Sequence, residues 1–215
     1  FCTFIASFGS SVRQYRQQNF FWVEGLKIGI LGAVGVTLGK QVITSSYYSQ
    51  TEFVLLFSLL LLYVSYMFYR RGSSAGTPAA SDELLGWRHA GITGGAGGFI
   101  AALAGIGGGG VMVPIMNLYY KQPFQKAVSV SSLAIVFISL SGWLQLAFTR
   151  TADTAYTAYY IGYVDFGAAL PLALGGLAGG FIGAWITLKI ERRYLQYGFA
   201  LLAIAMAVRL LTEVF

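Results

Sequence analysis

The chain has 215 residues, 56% of them apolar and only 10% charged, where a soluble domain carries about 25% charged residues. That balance excludes a soluble domain and predicts an all-α integral membrane protein. The formal net charge of +6 then reports orientation in the bilayer, and no nucleic-acid partner is expected. The single cysteine, Cys2, has no internal disulfide partner.

Residues 1–12 read as the tail of a transmembrane helix that ends at the basic stretch RQYRQQN. They are too few for a span of about 20 residues, so the start of the protein is expected to lie upstream. Residues 20–43 form the next span, with Gly25, Gly29, Gly32, Gly35 and Gly39 along one stripe that lets neighbouring backbones approach. Near its start Glu24 and Lys27 stand at i and i+3, where they can pair, serve in coupling or, as is more common at a span's end, snorkel to the interface. Residues 52–69 are rich in leucine and aromatics and lack glycine; this span is expected to face lipid. The polar stretch 71–87, RGSSAGTPAASDELLGW, reads as a linker. It divides the chain into 1–71, a linker at 72–88, and 89–215.

Beyond the linker the apolar region 90–120 is broken by AGIGGGGVMVP. A run of glycines costs about 1 kcal/mol per residue in a helix relative to alanine, and freed backbone groups in hydrocarbon need partners. The break therefore predicts two arms, 90–106 and 111–120. The second arm spans roughly 15 Å, about half of a ~30 Å hydrocarbon core, so its start falls near mid-membrane. A helix start with unpaired amides and a positive dipole end suits an anion. Gly107, Gly108, Gly109, Gly110, Val111 and Pro114 make up this candidate site. Asn117 follows on the same arm, and Ser129, Ser131 and Ser132 open the next span, 127–148; their amide and hydroxyl groups can donate to an oxyanion or simply bond neighbouring helices. Ser139, Ser141 and Gln145 are weaker candidates deeper along it. A polar aromatic loop at 149–165 and spans at 166–188 and 194–215 complete the chain.

The two sides of the linker repeat each other. GILGAVGVTLGK against ALGGLAGGFIGA sets Gly32, Gly35 and Gly39 on Gly176, Gly179 and Gly183, and the flanking spans follow in order. If the two arms form a hairpin that enters and leaves on one side, Arg13, Arg16, Arg70, Arg71, Arg88, Lys121, Lys126, Lys189, Arg192 and Arg193 share one face, with Lys40 and Arg150 opposite. The positive-inside rule favours that hairpin, and with it inverted repeats.

Other chemistry finds little purchase. ITGGAGGFI at 92–100 resembles a dinucleotide turn but lacks the preceding strand and the acidic residue about 20 positions on; its glycines, Gly94, Gly95, Gly97 and Gly98, read as a packing face. His89 is the sole histidine. No metal cluster or protease pair is visible, no cofactor is called for, and no enzyme activity is expected.

GIGGGGVMVP, followed by PFQKAVSVSSL and the glycine-striped span 166–188, resembles the TauE/SafE sulfite-exporter family, also known as toluene sulfonate uptake permeases. Members have two related halves, each with a GxGGGxxxxP-like segment and an A-x-x-[ST]-S-L-like helix start. The matching positions here are Gly105, Gly107 to Gly109, Pro114, and Ala127 through Leu133, with Gly110 a fourth glycine that leaves the register open by one. The first-half copy of the broken segment is not in this sequence. The resemblance implies a multi-pass protein of the cytoplasmic (inner) cell membrane that transports, and is expected to export, sulfite, sulfonates or related sulfur-containing anions. Its implied partners are a small anionic substrate, the bilayer and a coupling ion such as a proton. The expected mechanism is a rocking of one repeat against the other around the bound anion, with the glycine stripes as a sliding interface. A passive anion channel and a non-transporting scaffold subunit are the alternatives; the sequence does not fix substrate, direction or oligomeric state.

Overall fold

The computed structural model describes residues 1–16, 18, 20–43, 49–73, 85–104, 107–148, 160–161 and 164–212. The described elements are all helices except for one small β-ribbon. The helices are α1 (Cys2–Arg16), α2 (Trp22–Ile43), α3 (Gln50–Ser73), α4 (Trp87–Ala104), α5 (Gly109–Pro114), α6 (Phe124–Ala147), α7 (Phe166–Lys189) and α8 (Arg192–Thr212). α5 continues without interruption as a π-helical turn, Ile115–Tyr119. Strands β1 (Tyr160–Ile161) and β2 (Val164–Asp165) pair antiparallel, Tyr160 opposite Asp165. They interrupt the expected loop at 149–165, of which the rest lies outside the described residues. So do residues 74–84 of the expected linker and Gly105 of the glycine motif.

Four described stretches are long and apolar enough to cross a membrane: Trp22–Ile43, Phe124–Leu146, Ala169–Thr187 and Arg193–Thr212. The protein is an all-α integral membrane protein. α2 shows how sequence sorts its faces: Leu26, Ile30, Val34, Leu38 and Val42 recur every four residues and are exposed, as a lipid-facing stripe requires. Its glycines occupy the remaining circumference and split into two sets. A Cβ on Gly25, Gly29 or Gly32 would meet Leu133, Phe137 or Ile138 of α6, whereas one on Gly35 or Gly39 would meet Gly95, Phe99 or Ala102 of α4. The stripe thus packs against α6 over its first part and α4 over its second, with Gly32, which also meets the Gly94 carbonyl, touching both. Gly98 of α4 lies directly against the Gly32 backbone, the close approach that small residues permit where water cannot drive association.

α3 is not simply lipid-facing. Leu59, Tyr63 and Tyr66 are exposed, but Phe57, Leu61, Val64 and Phe68 are buried against α8. Ser65 donates to the Ala200 carbonyl at 2.9 Å, and the Phe68 and Phe199 rings sit 4.9 Å apart.

Contacts fix the helix directions. Phe1, at the start of α1, stacks near Trp143 at the far end of α6, with ring centroids 5.4 Å apart. Ser10, near the end of α1, reaches Ser132 near the start of α6 at 3.2 Å. These two helices are antiparallel. So are α3 and α8, since Phe68 meets Phe199 while Phe57 and Leu61 cluster with Ala203 and Ala207. α2 runs parallel to α6, Gly25 facing Leu133 and Lys40 donating to the Gln145 carbonyl at 3.1 Å. α1 runs parallel to α7, Cys2 lying against Ala169 and Arg13 over the Phe181 ring. Hence α2 and α7 also oppose each other. The ends of the helices that carry Arg13, Arg16, Arg88, Lys121, Lys126, Lys189 and Arg193 therefore gather at one end of the bundle, and Lys40 lies at the other.

Candidate functional site

Gly107 and Gly108 both adopt left-handed backbone, φ 78° and 75°, a conformation that costs a side-chain-bearing residue about 1–2 kcal/mol. They reverse the chain. α5 folds back on α4, so that Gly97 faces Met112 and Gly108 faces Gly97 and Ala101. At the open end the His89 and Tyr120 rings are 4.5 Å apart. The two arms are an antiparallel hairpin with the glycine turn at its tip.

The tip rests where α1 and α6 cross. A Cβ on Gly107 would meet Ile135 of α6 and Thr3 of α1, and one on Gly109 would meet Ile135. Gly107, Gly108, Val111 and Pro114 are buried. The first turn is tight: the amides of Val111 and Met112 both donate to the Gly108 carbonyl, at 3.1 and 3.0 Å. The Val111 N–H, a candidate donor from sequence, is thus used inside the turn. The amides of Gly109 and Gly110 precede the first intrahelical bonds and point along the helix axis.

Pro114 has no N–H and its ring crowds the carbonyl four residues back. The chain responds by widening to the π-helical turn, closed by the Tyr120 amide on the Ile115 carbonyl at 3.2 Å. Asn117 belongs to that turn and not to the tip. Fully buried, it donates from Nδ2 to the Gln122 carbonyl at 2.8 Å and accepts from Gln196 Nε2 at 3.5 Å. It ties the end of the hairpin to α8, two turns of helix away from the glycines.

The serines are brought to α6 beside the tip, but their protons are committed. Ser131 and Ser132 both donate back to the Val128 carbonyl, at 3.0 and 2.8 Å, the local bond that helix hydroxyls commonly make. Ser132 Oγ also accepts from Ser10 and from Gln14 Nε2, each at 3.2 Å. Ser129 is buried and engaged. Sequence reasoning missed Gln14, 2% exposed within a membrane helix, and Thr3 beside the turn. Ser139, a weaker candidate from sequence, lies one turn beyond Ile135 on the same face of α6, buried with no partner for its Oγ among the described residues.

Glu24 and Lys27 do not pair. Lys27 stands over the Trp87 ring at 5.0 Å. Glu24, 1% exposed, takes Lys126 of α6 at 3.2 Å and the Leu85 amide at 3.0 Å on the same oxygen, Oε1.

The family model described as "Sulfite exporter TauE/SafE" matches residues 1–210. A "probable membrane transporter protein" of Methanocaldococcus jannaschii is 27% identical over 196 residues, 91% of this chain and 70% of that protein. One of Xylella fastidiosa is 26% identical over 88% of this chain and 69% of its own length. One of Bacillus subtilis is 33% identical over 45% of this chain and 31% of its own. No solved structure gives a significant match. With its helical spans and glycine hairpin, the chain belongs to the TauE/SafE family of multi-pass membrane transporters.

Proposed function

We propose that the protein is a carrier of sulfite, sulfonates or related sulfur oxyanions across the inner cell membrane, with the anion held at the hairpin tip between two inverted repeats. The observation that carries this reading is the position of the Gly107–Gly108 reversal against both Thr3 and Ile135. A helix start is thereby presented at the crossing of α1 and α6, the helices that the sequence repeat pairs. The antiparallel course of α1 with α6, of α2 with α7 and of α3 with α8 is the relation that an inverted repeat requires.

At the tip, the amides of Gly109 and Gly110 serve as donors, with the Ser139 hydroxyl as the side-chain donor. No fixed charge is needed there, which suits exchange of a charged ligand between two sides. The gathered basic helix ends mark the cytoplasmic side.

Thermal unfolding of the purified protein in detergent, titrated with sulfite, methanesulfonate, thiosulfate and acetate, tests the site. Stabilisation of about 2.7 kcal/mol is expected at a concentration 100 times the Kd, for the sulfur oxyanions and not for acetate. Gly109→Ala should abolish that response. An unchanged response would overturn the tip as the site. Transport is tested by radiolabelled sulfite uptake into proteoliposomes with and without a pH gradient; flux that ignores the gradient would indicate a channel.

A further inference from the structure

Glu24 is the one carboxylate found buried among the described residues, and it faces the second half of the chain. Oε1 receives both Lys126 and the Leu85 amide, while Oε2 is buried with no hydrogen-bond partner among the described residues. Lys126, 5% exposed, has the Glu24 carboxylate and the Phe21 ring, 5.1 Å away, around its ammonium. An ionisable pair this buried in a membrane protein is costly to maintain and marks a functional path by default. Its place is the open end of the hairpin, about 14 Å along α6 from Ile135 at the tip, at 1.5 Å per residue. Among the described residues, the charged or titratable groups on the elements packed against Glu24 are few. They are Lys126 on α6, Arg88 and His89 at the exposed start of α4, and on α2 itself Lys27, directed at Trp87, and Lys40 at the far end.

We infer that Glu24 is a proton-binding site that couples anion transport to proton transport: when its carboxylate takes a proton, Lys126 loses its counter-ion and receives the substrate anion at a waypoint between the open end of the hairpin and the binding site at its tip. This rests on the carrier reading given above. The proton comes from water and goes to the carboxylate; Lys126 keeps its own protons throughout. Carboxylate with ammonium is neutral as a unit, and so is carboxylic acid with ammonium and a singly charged anion. Either neutral form avoids leaving a lone charge in a low-dielectric site, whereas anion without proton, or proton without anion, does not. The scheme moves one proton with each singly charged anion, in the same direction and without net charge. On the far side both leave and the pair re-forms.

The test uses radiolabelled methanesulfonate, whose single charge does not vary over the working pH range, with the purified protein in proteoliposomes. In the wild type a gradient of about one pH unit should sustain about ten-fold accumulation. An imposed membrane potential should have no effect, and a luminal pH dye should count one proton per anion. Glu24→Gln should lose the accumulation while still exchanging labelled for unlabelled methanesulfonate, since exchange needs no proton release. Lys126→Met should lose both. Accumulation by Glu24→Gln equal to that of the wild type would overturn the inference, as would wild-type accumulation driven by voltage. Should Glu24→Gln not fold, the wild-type voltage response and proton count decide alone. Absence of any methanesulfonate or sulfite exchange in the wild type would instead overturn the carrier reading.

Discussion

The rings of His89 and Tyr120 lie 4.5 Å apart across the base of the glycine hairpin, so the chain enters and leaves this segment at the same end. Arg88, at its start, and Lys121, which follows it, are both exposed. In a Cys2→Ala background, Arg88→Cys and Lys121→Cys should react with an impermeant thiol reagent from the same side of the membrane. Labelling of the two from opposite sides would require the segment to cross singly.

The turn itself can be probed at Gly108, where φ is 75° and a Cβ would meet the Gly97 carbonyl. Gly108→Ala should destabilise by about 1–3 kcal/mol, read as a drop in unfolding temperature in detergent. Gly95, also in the glycine-rich region, has open space where a Cβ would stand, with nothing within 4 Å; Gly95→Ala should be neutral or stabilising by up to about 1 kcal/mol. Equal effects at the two positions would mean that the turn does not need left-handed backbone.

The glycines on α2 and α7 that align in sequence are not equivalent in surroundings. A Cβ on Gly98 would fall within the Gly32 backbone, and Gly35 is covered by Gly95 and Phe99, but Gly179 and Gly183 have nothing within 4 Å. Gly98→Leu should prevent the folded state from forming, or lower the yield severely, through overpacking that costs about 3 kcal/mol or more. Gly179→Leu should leave the stability of this chain within about 0.5 kcal/mol of the original. The expectation of a sliding interface at Gly179 thus receives no support from its neighbours; loss of stability in Gly179→Leu would restore it.

Ser139 offers a separate handle on the ligand. Its hydroxyl is buried without a partner among the described residues, so Ser139→Ala should be neutral or stabilising by up to about 1 kcal/mol without ligand. It should nonetheless reduce the sulfite-induced stabilisation at least several-fold. A variant with full sulfite response would remove Ser139 from the site.

The helices are legible in the sequence because their apolar runs have the length that a bilayer demands, and the break because Gly107 and Gly108 take a left-handed backbone that favours glycine. The fate of the polar side chains is harder to read. Ser131 and Ser132 are free donors in a linear sequence, yet a carbonyl one turn back competes for each hydroxyl proton. Asn117 sits on the expected arm, but the π-helical turn forced by Pro114 carries it into a junction with α8. Lys27 is the local partner for Glu24, and i, i+3 spacing gives no hint that α6 brings Lys126 closer. Residues from distant segments meet only after the helices cross, and no periodicity records which crossings occur.

The parallel pairing of α2 with α6 and of α1 with α7 has a mechanical consequence. Each half of the sequence lends a helix to the other, so the halves cannot separate as blocks without tearing both of these seams. α2, α4, the hairpin and α6 form one body, locked by the Gly32–Gly98 contact, and α1 with α7 forms the other. Between the two, α1 meets α6 through the hydrogen bonds among Ser10, Gln14 and Ser132, a polar seam in a largely apolar bundle. α3 and α8, each from a different half, are joined to one another along their length.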